Sequence, residues 1–213
     1  MDTTRAPHDL PARLELPLRS GREHWYWTGG RPAVDLVNTL RERWWRQVET
    51  LCSPDDLDEW LRRAGLLAAG GGGSDAALLA DAHELREAID AALVAVTGGG
   101  PVETAQLEPI SRWAALAPAA RLVASPAGVP VRDGGTAHAS RTALAAVAED
   151  AVRMLGTDER SRLRICGADD CSARFFDRSP AGRRRWCSMA GCGTRAKVRA
   201  HRARRAEPTQ GAR

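Results

Sequence analysis

The sequence predicts a mainly α-helical protein in two parts: a helical N-terminal domain with one small β-hairpin, and a small cysteine-bearing C-terminal module. Apolar residues recur at helical spacing over most of the chain up to residue 155, and one short stretch near residue 125 alternates instead. Four of the five cysteines fall after residue 165. The 213 residues, 43% hydrophobic and 27% charged, suffice for a globular domain and a module.

The first predicted helix follows an aromatic, strand-like stretch, Trp25–Trp27, and the glycine pair Gly29-Gly30. Pro32 suits the first turn of a helix. On a helical wheel, one face is apolar and is expected to pack into the core. Its members are Ala33, Leu36, Val37, Leu40, Trp44 and Val48. The opposite face carries Asp35, Asn38, Glu42 and Trp45.

Four further helices follow from capping signals and apolar periodicity. The second starts at Ser53 as N-cap with Pro54 at the first position, and it ends at Gly65. The third spans Leu78 to Val96 and stops at Gly98–Gly100. The fourth and fifth are expected over about 103–117 and 137–155, and the alternating segments 122–124 and 129–131 between them predict a hairpin. Composition and charge change at Gly156-Thr157, which predicts domains 1–157 and 158–213.

Positive charge is concentrated in the second of these domains. Residues 158–213 hold 15 basic and 6 acidic residues, whereas the rest of the chain holds 16 and 21. Between Arg183 and Arg205 there are nine basic residues and no acidic one. Such a cluster is typical of a surface that binds a polyanion.

The four clustered cysteines have the spacing of a metal site. Cys166, Cys171, Cys187 and Cys192 form Cys-x4-Cys-x15-Cys-x4-Cys, so two chain segments can each present two thiolates to one structural Zn²⁺. Metal binding could contribute on the order of 10 kcal/mol to the folding of a module with so few large apolar residues. Two disulfides and four free thiols remain alternatives. Residues 1–20 contain no apolar stretch of the kind a secretory signal has, so we expect no export, and we expect the fifth cysteine, Cys52, to be a small buried apolar residue.

The pattern around the cysteines predicts a treble-clef-like unit. Strands at 162–165 and 173–177 enclose the first cysteine pair, and the second pair stands at the head of a helix that runs to about Arg205. The candidate nucleic-acid-binding residues are all basic: Arg183, Arg184, Arg185, Arg195, Lys197, Arg199, Arg202, Arg204 and Arg205. We expect double-stranded DNA as the partner. The alternatives are a basic tail that only neutralises zinc thiolates, and a protein- or RNA-interaction module.

The N-terminal domain offers one candidate polar site. Asp35 and Asn38 could line a pocket for a small ligand, or they could tie the Gly29-Gly30 turn to the helix. No group of residues suggests a nucleophile with its base and oxyanion donors, so we expect no enzymatic activity. With no apolar run of bilayer length, we expect a cytoplasmic protein without membrane contact. A small-molecule effector and homo-oligomerisation are left open.

Two segments resemble known families. Arg183–Met189 followed by Cys192-Gly193-Thr194-Arg195 is similar to the CGNR zinc finger, with Thr194 in the place of the Asn. Gly29-Gly30, Asp35 and Asn38-Thr39 resemble the ABATE domain that precedes this finger in family members. The resemblance implies a stress-induced transcriptional regulator that binds DNA through its finger.

Overall fold

A computed structural model describes residues 11–118, 122–124, 127–128, 130–132 and 139–206. The helices in these ranges are α1 (Pro32–Val37), α2 (Pro54–Arg63), α3 (Ala76–Gly98), α4 (Thr104–Ala114), α5 (Ala139–Gly156) and α6 (Thr194–Ala206). The strands are β1 (Leu40–Arg41), β2 (Val48–Glu49), β3 (Leu122–Ala124), β4 (Pro130–Arg132), β5 (Leu163–Ile165) and β6 (Arg174–Phe176). They form three antiparallel pairs in chain order. The predicted mainly α class is confirmed, and none of the described helices is long and apolar enough to span a bilayer.

The predicted helix ends of the N-terminal part agree with the structure. The Ser53 side chain accepts the amide of Asp56 at 3.2 Å, and Pro54 occupies the first position of α2. Gly99 ends α3 at φ 71°, in the left-handed region that a residue with a Cβ rarely adopts. The predicted hairpin is present as β3 and β4, although Ser125, Pro126 and Val129 lie outside the described residues, as do positions 137 and 138 of the predicted fifth helix.

The first predicted helix is wrong beyond Val37. The Thr39 hydroxyl donates to the Leu36 carbonyl, and the Asn38 amide binds a distant strand, so these side chains compete with continuation of the helix. Leu40 then pairs with Glu49 in the short β1–β2 ladder. Trp44 is consequently exposed on the connecting loop, and the helical wheel had assigned it to the core.

Two smaller expectations also fail. Among the described residues, Trp25–Trp27 pair with no strand, because Trp25 and Trp27 turn their rings towards each other and towards α2 instead. Cys52 is exposed rather than buried, since it precedes the N-cap of α2 on the surface. Its sulfur lies 3.5 Å from the Glu49 carbonyl oxygen.

One apolar core joins the helices and reaches the C-terminal module. α1 contacts both α3 and α5, and Leu36, Ile89 and Leu144 are fully buried between them. Successive residues of β6 point to opposite faces. Phe176 therefore joins the helical core, while Phe175 joins a second cluster that contains the four cysteines. The cysteine module is thus packed onto the helices; the boundary at residue 157 stays a prediction.

Candidate metal centre and basic helix

Four buried sulfur atoms converge at one point. The Sγ atoms of Cys166, Cys171, Cys187 and Cys192 all lie within 4.8 Å of one another. The distance from Cys187 Sγ is 3.8 Å to Cys171 Sγ and 3.6 Å to Cys192 Sγ. A tetrahedral ion with Zn–S bonds of about 2.3 Å requires S···S distances of about 3.8 Å. A disulfide would require about 2.05 Å, so the donor set fits one structural zinc ion rather than bridged sulfurs.

Backbone hydrogen bonds hold the two cysteine pairs in place. The first pair lies in the turn between β5 and β6, where the Cys166 amide donates to Ala173 O at 2.9 Å and the Cys171 amide donates to Ala168 O at 3.0 Å. The second pair is ordered by Ser188, whose hydroxyl accepts the Gly191 amide at 3.1 Å. A wide π turn, Met189–Gly193, then leads directly into α6. The predicted strands, cysteine turns and helix are therefore all present.

Ionisation of the cluster depends on compensating positive charge. Hydrogen bonds from the other thiols, that of Cys171 foremost, lower the pKa of Cys166, whereas the contact with Cys166 raises the pKa of Cys187. Four buried thiols cannot all ionise together unless a cation offsets their charge. Arg195 supplies part of it, since its Nη2 donates to Cys192 Sγ at 3.1 Å. With four sulfur ligands, a zinc ion has no open position for water or substrate, which is typical of a structural site.

The helical domain supplies one wall of the centre. Tyr26 is buried in the cysteine cluster, and this burial raises the pKa of its hydroxyl. The Arg41 guanidinium lies 3.8 Å from the Tyr26 ring centroid, and its Nη2 donates to the Tyr26 hydroxyl at 2.8 Å. Neither residue belongs to a recognisable motif, and so the sequence analysis missed both.

The nine predicted nucleic-acid-binding residues divide into two groups. Three are engaged within the module. Arg195 and Arg199 both pair with Asp170, at 3.2 and 3.0 Å, and Arg184 donates to Cys187 O at 2.7 Å. The other six are exposed and, among the described residues, have no carboxylate within 4.0 Å, although the Arg185 guanidinium lies 5.1 Å from the Trp186 ring centroid: Arg183, Arg185, Lys197, Arg202, Arg204 and Arg205.

The two candidate ligand-binding residues both have backbone partners. Asp35 Oδ1 accepts the Gly29 amide at 2.8 Å, and burial raises the pKa of Asp35 to about 7. A Cβ at Gly29 would come 2.7 Å from that oxygen, so only glycine fits there. Asn38 binds the backbone of Arg174 through both ends of its amide. The structure thus ties both residues to neighbouring backbone, and a ligand role for them stays a prediction.

Comparison with known protein families agrees with this architecture. Residues 30–158, more than half of the chain, match the ABATE model, which is described as "Putative stress-induced transcription regulator". Residues 162–205 match the CGNR zinc finger and include all four clustered cysteines. No curated protein matches the chain. With a helical domain of the first kind and a cysteine centre of the second, the chain belongs to the ABATE family and carries a CGNR zinc finger.

Proposed function

We propose that this chain is a transcription regulator that binds double-stranded DNA through the basic helix α6. The observation that carries the proposal is the division of charge along that helix. Arg195 and Arg199 fasten its first turns to the zinc-binding turn at Asp170, and Arg202, Arg204 and Arg205 near its end are exposed. A zinc-anchored base with an exposed, cationic end suits contact with a phosphate backbone.

The dimensions of α6 suit a DNA groove. Its 13 residues extend about 20 Å at 1.5 Å per residue, and a major groove about 12 Å wide admits one helix. Lys197 and Arg204 lie on the side opposite Arg195, because residues two and nine positions further along a helix are rotated by about half a turn. The zinc ion would hold α6 at its N-terminal end and take no part in chemistry. We propose no enzymatic activity for the helical domain; sensing a ligand or mediating association is the role we assign to it.

The test is a titration of zinc-loaded full-length protein against a duplex of mixed sequence at several salt concentrations. The variant Arg202→Gln/Arg204→Gln/Arg205→Gln should bind more weakly, and its log–log salt slope should be about 2.7 units shallower, at roughly 0.9 per lost phosphate contact. The matched control, Arg63→Gln/Arg112→Gln/Arg153→Gln, removes the same charge from exposed sites of the helical domain. It should retain the wild-type slope.

Two outcomes would contradict the proposal. Equal affinity of both triple variants for duplex DNA would remove α6 from the interface. Tighter binding of single-stranded or duplex RNA than of any DNA would favour an RNA-interaction module instead. Selection of tight-binding duplexes from a random pool would then show whether the protein prefers a sequence, as a regulator of particular genes must.

A further inference from the structure

We propose that Trp44 and Trp45 form a stacking site for a nucleobase, and that this site belongs to the same binding surface as α6. The inference rests on the proposed function, because it assigns a second contact to the nucleic acid that α6 would hold. The evidence for the site itself comes from the loop that joins β1 to β2, and the charges on α6 indicate its occupant.

The two indoles form an exposed aromatic stack. Trp44 is 52% and Trp45 41% exposed, their ring centroids are 5.9 Å apart, and their planes differ by 25°. Large aromatic rings are normally buried or engaged at an interface. Among the described residues, Trp45 has Trp44 as its sole ring neighbour, so its outer face is available to a further ring.

The loop that presents these rings is firmly built. The carboxylate of Glu42 is buried and accepts Arg46 Nε at 2.7 Å, while Glu42 O accepts the amides of Trp45 and Gln47 at 3.0 and 3.1 Å. Glu42 and Gln47 have φ values of 53° and 50°, a left-handed conformation that costs roughly 1 kcal/mol or more per residue. Local strain of this kind is concentrated at functional sites. A preformed loop also loses little conformational entropy when it binds.

The loop and α6 are attached to the same cysteine turn. The Arg43 amide donates to Ser172 Oγ at 3.2 Å, and Asp170 holds the first turns of α6. These two attachment points are two residues apart, which limits their Cα separation to about 7.6 Å. The buried guanidinium of Arg174, 5.7 Å from the Trp44 ring centroid, fixes the inner indole against β6.

Charge complementarity selects a nucleic acid as the occupant. The exposed cations of α6 attract a polyanion, and indole faces stack on the bases of that polymer at roughly 1–3 kcal/mol per base. In a duplex, such an aromatic wedge inserts at a flexible or unstacked base step. One nucleic acid can therefore contact α6 and the tryptophan pair together: its phosphates contact α6, and one of its bases stacks on Trp45.

The test compares an intact duplex with the same duplex carrying one unpaired adenine. Zinc-loaded wild-type protein should prefer the bulged duplex. Trp44→Ala/Trp45→Ala should lose roughly five- to hundredfold in affinity for it, the equivalent of one stacked base, with an unchanged salt slope because no phosphate contact is lost. The matched control, Leu116→Ala/Val152→Ala, truncates two other exposed apolar side chains and should bind as the wild type does.

Failure of this inference is distinguishable from failure of the proposed function. If wild-type protein binds neither duplex, both fall. If it binds with the salt dependence of a basic helix but the double tryptophan variant binds each duplex as tightly as the wild-type protein does, only the stacking site is overturned. The zinc content of the double variant shows whether its fold is intact. If the double variant loses its metal, the single variant Trp45→Ala tests the stacking site in its place.

Discussion

Asn38 and Arg174, 136 positions apart in the chain, exchange two hydrogen bonds of 2.9 Å. Asn38 Nδ2 donates to the Arg174 carbonyl, and the Arg174 amide donates to Asn38 Oδ1. The side-chain amide thus serves β6 as the backbone of a neighbouring strand would. Both residues are buried, so this pair couples the helical domain to the strand that follows the first cysteine pair.

Replacement of Asn38 should therefore destabilise the whole chain. Asn38→Ala leaves the amide and carbonyl of Arg174 buried without partners, and we expect a loss of about 2–5 kcal/mol in the free energy of unfolding. Urea unfolding followed by circular dichroism measures it. Thr97→Ala, which removes a hydroxyl bonded only within its own helix, should change stability by less than about 0.5 kcal/mol. A similarly small change for Asn38→Ala would show that the pair contributes little.

Asp35 should make stability fall between pH 5 and pH 8. Burial raises its pKa from 3.8 to about 7, with nearby Asp150 adding to the shift while the Gly29 amide and Arg178 oppose it. The folded state therefore binds this proton more tightly than the unfolded chain does. The resulting stabilisation is fully present below pH 3.8 and is lost as the pH rises through 7. Asp35→Asn does not titrate, so its stability relative to the wild type should increase from pH 5 to pH 8. A difference independent of pH would contradict the assignment.

Asp170 should restrain binding to DNA. Its carboxylate pairs with both Arg195 and Arg199, so Asp170→Asn frees Arg199 and leaves Arg195 bonded to Cys192 Sγ at the base of α6. We expect this variant to bind duplex DNA a few-fold more tightly and with a steeper salt slope. Asp169→Asn makes the same change in net charge next to it and, among the described residues, breaks no ion pair. Identical effects of the two substitutions would show that only net charge matters.

Removal of the metal should unfold α6 and spare the helical core. Among the described residues, the cluster around the cysteines adds Tyr26, Phe175, Trp186 and two alanines, whereas the main core is larger and is built mostly from the helices. Chelation should therefore lower the helical circular dichroism signal by about the part that the 13 residues of α6 contribute to it. The blue-shifted emission of buried Trp25, Trp60 and Trp113 should persist. Loss of both signals in one transition would show that the core depends on the metal.

The sequence predicted those elements that local signals determine. α2 and α3 carry their own caps at Ser53 and Gly99, and both helices end near where the sequence analysis put their ends. The segment after Val37 carries apolar residues at helical spacing as well, but long-range partners decide its conformation. The amide of Asn38 binds β6, and Thr39 O accepts the Thr50 amide. A one-dimensional pattern contains no trace of such contacts.

The candidate site was predictable to the same extent. Cysteine spacing alone identified four ligands that the structure brings together. The supports around them come from elsewhere in the chain: Tyr26 and Arg41 from the N-terminal part, and Asp170 from between two ligands. Helical geometry places Arg195 and Arg199, four residues apart, on one face of α6, but it does not show that this face is turned towards Asp170.

Zinc-edge X-ray absorption of the purified, untagged, full-length protein tests the central claim most directly. One zinc ion per chain, surrounded by four sulfur atoms at about 2.3 Å, is the result that the clustered cysteines predict. A protein that is folded yet lacks stoichiometric zinc, or whose zinc has nitrogen or oxygen neighbours in place of sulfur, would contradict it.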